Sequence, residues 1–147
     1  MVWGKVISCG LVIIKIVDGK YDQNAYINLM KNFAIKFINL NFKSYSLVQD
    51  NCPVHKANAV KNFFTDESMH IIEWPAYSPG VNIMENIWKL LSDVVYADGN
   101  IQNLSMLRQR IHSAVLNVNQ EKRKVISSMF DGIRKRFTNI LISNGNI

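Results

Sequence analysis

The chain has 147 residues, 48% of them hydrophobic, which fits one domain with a buried core and excludes a disordered polymer. Lys and Arg number 17 against 11 Asp and Glu, a net charge of +6 with a pI near 9.4; that balance favours a polyanionic partner, nucleic acid above all. The 2 cysteines make no disulfide framework, and no apolar run reaches the roughly 18–20 residues of a membrane span.

The opening "MVWGKVISCGLVIIKIV" lacks the basic lead and clean apolar core of a secretory signal, so no targeting signal is recognised. Instead "MVWGKVI" and "LVIIKIV" are β-branched runs flanking "SCG", and they predict a hairpin. From Gln23 to Asn39 the apolar residues Tyr26, Leu29, Met30, Phe33 and Phe37 recur at helical spacing. "SYSLVQD" reads as a third strand ending on Asp50. Pro53 interrupts, a short helix follows from His55 to Phe64, and "MHIIEW" is a fourth strand. Pro75, Pro79 and Gly80 make a stiff loop, with Asn82 as N-cap of a helix running to about Ala97. Two helices follow "ADGN", one with Leu104, Leu107, Ile111, Val115 and Val118 on its face, the other with Val125, Met129, Ile133, Phe137 and Ile140. The layout is mixed α/β, with strands and a central helix over about 1–97 and C-terminal helices over about 100–142.

Two acids stand out. Asp50 closes a strand and Glu85 lies in the first turn of the helix after the next strand, with 34 residues between them. In open α/β sheets functional groups gather beyond the carboxyl ends of strands, so this topology can bring both acids to one end of the sheet. Hard oxygen ligands held there suit Mg²⁺ or Mn²⁺. Taken singly, an Asp at a strand end is an ordinary turn residue and a Glu in a first helical turn an ordinary dipole partner. Cys52 and His55 form a C-x-x-H half-knuckle, but a zinc site wants paired ligands on two knuckles, so zinc is not expected.

The segments "VQDNCPVHKANAVKNFF" and "IIEWPAYSPGVNIMENIWKLL" resemble the catalytic domain of the mariner-like (Tc/mariner) transposases. The family pattern Q-D-N-x-P-x-H is met at Gln49, Asp50, Asn51, Pro53 and His55. Its second part, W-P-x-x-S-P-x-x-N-P-x-E-N-x-W, is met at Trp74, Pro75, Ser78, Pro79, Asn82, Glu85, Asn86 and Trp88. The resemblance covers essentially the whole chain. It implies a ribonuclease H-like fold, with Asp50 and Glu85 as second and third acids of a DDE-type triad holding Mg²⁺ or Mn²⁺. Asn51, His55, Asn82 and Asn86 are implied in support. The implied chemistry is metal-assisted cutting and joining of DNA, and the implied location is the nucleus.

By the same resemblance the first acid stands on a central strand ahead of "MVWG", so a partial catalytic domain spanning 1–147 is expected. Asp18 and Asp22 are the nearest substitutes, and turn and cap roles are expected for both. Without that strand, sheet edges are exposed and offer a route to self-association. Gly80 and Ile83 depart from the family's Asp and Pro and loosen the approach to the Glu85 helix. Trp74 and Trp88 are expected to pack rather than stack on bases, and "EKRK" and "RKR" (134–136) to be solvated faces or phosphate contacts. The expected function is therefore a DDE-type catalytic domain inactive by itself. The alternatives are a non-catalytic nucleic-acid-binding or interaction module and a decayed fragment.

Overall fold

The computed structural model describes residues 1–41, 45–72 and 82–142. The motif residues Trp74, Pro75, Ser78, Pro79 and Gly80 lie outside these residues. In chain order the elements are β1 (Val2–Val6), β2 (Val12–Ile16), α1 (Gln23–Leu29), a π-helical segment (Met30–Ile35) and α2 (Lys36–Asn41). They continue with β3 (Ser46–Val48), α3 (Pro53–Lys56), α4 (Asn58–Asp66), β4 (His70–Ile72), α5 (Ile83–Val95), α6 (Leu104–Glu121) and α7 (Arg123–Ile142). None of the described helices is long and apolar enough to cross a membrane. The chain divides into two compact units, one from Asp18 to Ser78, the other combining Val2–Val17 with Pro79–Ile147.

In the first unit β3 and β4 pair in parallel, Leu47 against Ile71. The crossover between them carries α3 and α4, as parallel neighbours require. The core holds Tyr26, Met30, Ala34, Ile38, Leu47, Val60 and Phe64. The helix anticipated over Gln23–Asn39 changes register in the middle: Met30 and Ile35 are both buried, a five-residue interval that a π turn places on one face and an α turn does not. The helix anticipated from His55 is split. Ala57 adopts an extended backbone, with φ −59° and ψ 140°, between α3 and α4.

In the second unit the predicted hairpin forms, β1 antiparallel to β2 with Gly4 opposite Ile14. Gly10 closes its turn at φ +83°, and a Cβ there would meet the Arg123 carbonyl oxygen at 2.0 Å. Only glycine fits that conformation and that close approach. The core of Val12, Ile87, Leu91, Val95, Ala114, Val118 and Ile126 joins hairpin to helices α5–α7. Asn82 caps α5 as anticipated, its side chain accepting from Met84 N–H at 3.0 Å. Two apolar-face assignments need correction: Leu104 is 62% and Val125 50% exposed, while Ala114 and Ile126 are fully buried. The rest of the anticipated faces holds: Val118 is buried, and Leu107, Ile111, Val115 and Met129 pack against the same core.

Candidate active site

Gln49 and Asp50 follow directly on β3, where the chain leaves the sheet. Tyr26, buried in α1, donates its hydroxyl to Gln49 Oε1 at 2.6 Å, which fixes the backbone just ahead of Asp50. Burial drives the Tyr26 phenol far above its usual range, so it stays protonated and remains a donor.

Asp50 is 59% exposed at its side chain, and its Oδ1 is held twice. It accepts from the Cys52 N–H at 3.1 Å, a local turn. It also lies 2.7 Å from His55 Nδ1. The other imidazole nitrogen, Nε2, is 3.3 Å from the Tyr21 hydroxyl, and the imidazole lies against the Tyr26 ring with centroids 4.3 Å apart. Burial, with the nearby Cys52 and Asp50 adding to it, pushes the Tyr21 phenol up to about 12. A neutral phenol donating to Nε2 places the proton of a neutral imidazole on Nδ1, where it points at the carboxylate. Asp50, His55 and Tyr21 thus form one hydrogen-bonded chain. His55 belongs to it because Pro53 starts α3 and turns the histidine back toward the strand end. Asn51 lies exposed between Asp50 and Cys52.

Glu85 sits exposed in the first turn of α5, where the helix N-terminus favours a carboxylate. Asn82 is half-buried as the cap and Asn86 is exposed. Asp50 belongs to the first unit and Glu85 to the second. Asp22 is occupied as the N-cap of α1, its Oδ1 accepting from Asn24 and Ala25 N–H at 3.0 and 3.1 Å. It fills the cap role anticipated for it.

Trp88 packs: a Cβ on Gly4 would meet its ring at 2.6 Å. Glycine on β1 therefore makes the seat for the indole one turn beyond Glu85. Sequence reasoning missed Tyr21 and Arg110. The Arg110 guanidinium donates to the carbonyls of Val95, Asp98 and Gly99 at 3.1, 3.2 and 2.8 Å, and so holds the end of α5.

The family described as DDE superfamily endonuclease matches residues 5–108. The chain is 28% identical over 149 residues to the "Transposable element Tc3 transposase" of Caenorhabditis elegans, an alignment covering 99% of this chain and 44% of that protein. It is 30% identical over 92 residues to the "Transposable element Tcb1 transposase" of Caenorhabditis briggsae, covering 62% and 34% respectively. The chain thus spans less than half the length of these curated relatives. Among solved structures it is similar in fold to the catalytic core domain of BIV integrase, with a TM-score of 0.58, 17% identity, and coverage of 82% of this chain and 75% of that one.

Proposed function

Since the chain belongs to the DDE superfamily endonucleases, we propose that Asp50 and Glu85 are two of three carboxylates that hold divalent metal for cutting and joining DNA. The observation that carries this reading is Asp50 itself: a carboxylate exposed at a strand end, oriented by two donors that both fall on Oδ1. Oδ2 is then the oxygen offered to a hard cation, and an all-oxygen set of this kind fits Mg²⁺ or Mn²⁺. A bound pair of such ions supplies charge stabilisation at the attacking and leaving oxygens of a phosphodiester.

The protein's own part is positional. His55 fixes the Asp50 carboxylate, Tyr21 fixes His55, and Asn82 sets where the Glu85 helix begins. Asn51 and Asn86 flank the two acids in support. The 147-residue polypeptide contributes Asp50 and Glu85, and by family resemblance the remaining acid belongs to a strand ahead of β1. Taken alone, the polypeptide therefore binds DNA and a weakly held ion without cutting. The proposed setting is the nucleus, and unpaired strand edges are a proposed route to self-association.

An end-labelled DNA nicking assay in Mn²⁺ tests the reading. The 147-residue polypeptide should leave the duplex intact, while an extended polypeptide carrying the upstream strand should nick it, and Glu85→Gln in the longer form should abolish nicking. Metal-dependent nicking by the shorter form, lost in its own Glu85→Gln variant, would refute the division of acids proposed here.

A further inference from the structure

One cluster of potential metal-ligating side chains among the described residues has a composition that the proposed chemistry does not use. Asp50, Cys52 and His55 each offer a ligand atom, and these atoms all lie within 4.8 Å of one another. Cys52 and His55 are half-buried and Asp50 is exposed. A tetrahedral zinc ion with one sulfur, one nitrogen and one oxygen ligand keeps those atoms roughly 3.3–3.7 Å apart, given metal–ligand distances of about 2.0–2.3 Å. To admit such an ion the 2.7 Å contact between Asp50 Oδ1 and His55 Nδ1 opens by about half an ångström, and separations that reach toward 4.8 Å close by up to about 1 Å, movements within reach of side-chain rotation.

We propose that Asp50, Cys52 and His55 form a three-ligand site for a thiophilic divalent cation, Zn²⁺ above all, with the fourth position open to water. Thiolate and imidazole select Zn²⁺ and its surrogates Co²⁺ and Cd²⁺ over Mg²⁺, which prefers an all-oxygen octahedron. The half-knuckle of Cys52 and His55 was too little for zinc on sequence grounds. The folded chain adds the missing carboxylate and an outer partner. With a cation on Nδ1, the imidazole proton resides on Nε2 and is donated to the Tyr21 hydroxyl, now an acceptor at the same 3.3 Å contact; outer hydrogen bonds of this kind orient ligating histidines. Thiolate ligation displaces the Cys52 thiol proton to solvent.

The site rests on its own geometry. One consequence rests on the proposed function: a cation held by Cys52 and His55 occupies Asp50 and excludes the hard ion from it, so Zn²⁺ blocks metal-dependent cutting by the longer polypeptide.

The decisive measurement is a Co²⁺ titration of the 147-residue polypeptide under a non-thiol reductant, read by the near-ultraviolet sulfur-to-cobalt charge-transfer band, followed by displacement with Zn²⁺. A saturable band with a one-to-one endpoint is expected, abolished in Cys52→Ser and at least about tenfold weaker in affinity in Tyr21→Phe. Cys9→Ser and Glu85→Gln should leave it unchanged, with circular dichroism confirming the fold of each variant. The Glu85 control separates this site from the proposed catalytic one: Glu85→Gln should weaken Mn²⁺ binding and spare the cobalt band. No band in the unmodified chain, a band that survives Cys52→Ser, or one lost in Glu85→Gln would overturn the proposal.

Discussion

The side chain of Asn119 satisfies both backbone groups of Val12: Oδ1 accepts from the Val12 N–H at 2.8 Å and Nδ2 donates to the Val12 carbonyl at 2.9 Å. An amide on α6 thus behaves toward β2 as a neighbouring strand would, closing part of that edge. Replacing it by Ala strands a donor and an acceptor in a partly buried place, which costs about 2–4 kcal/mol. Asn119→Asp keeps the acceptor but sets a carboxylate against a carbonyl, and should cost at least as much. Urea unfolding of the two variants reads this directly; equal midpoints for Ala and the unmodified chain would show the two bonds to be incidental.

Metal binding should depend on Asp50 more than on any other acid. Isothermal titration of the 147-residue chain with Mn²⁺ should show weak binding, and Asp50→Asn should remove most of it. Unchanged binding in that variant would remove Asp50 from the ligand set.

DNA binding should be sequence-blind and steep in salt, as expected for a net charge of +6 and affinity won from phosphates. Arg123 already donates to the Cys9 carbonyl at 3.1 Å, so the exposed Lys122 and Lys124 are the better phosphate contacts of that stretch. Raising salt from 50 to 200 mM should weaken binding to unrelated duplexes at least about tenfold, and Lys122→Glu with Lys124→Glu should flatten the dependence. Filter binding that prefers one sequence, or ignores salt, would contradict this.

Lys5 gives a pH signature. Burial lowers its ammonium from the ordinary 10.5 to about 8. Between those values the unfolded chain holds the proton more fully than the folded one, so stability rises as pH climbs from 8 toward 10. Above pH 10 the raised Tyr21 phenol, about 12 when folded, acts the other way and stability falls. Lys5→Met should remove the rise between pH 8 and 10, read from melting temperatures across that range. A rise that persists in Lys5→Met would show that another group carries it.

Local chemistry was legible. The β-branched runs around "SCG", the cap at Asn82 and the position of Asp50 at a strand end all follow from residues adjacent in sequence. What escaped depends on residues far apart. Nothing near Asn119 marks it as a partner for Val12, and no spacing rule joins Tyr21 to His55 across the helices between them. The split at Ala57 falls where alanine itself favours helix, so the break comes from the fold and not from propensity. Leu104 and Val125 fit a helical stripe as well as Ala114 and Ile126 do; how far each buried face extends is decided by the hairpin and the neighbouring helices, which are non-local. The metal-ligating cluster was half visible in the Cys52–His55 spacing, and its third member became evident only when the turn after β3 folded Asp50 back onto them.

The second unit is discontinuous in sequence, and this sets a timetable. The hairpin leaves the ribosome well ahead of its partners: Ser8, Cys9 and Val12 await Ser127, Arg123 and Asn119, which bond to them across separations of 119, 114 and 107 residues. At ordinary synthesis rates of about 5–20 residues per second, that interval lasts roughly 5–25 seconds. A lone two-stranded hairpin is marginal in water, whereas the unit from Asp18 to Ser78 is contiguous and can condense while the wait continues. The apolar face of the hairpin therefore stays uncovered until α6 and the start of α7 have emerged, open in that interval to contacts with neighbouring chains.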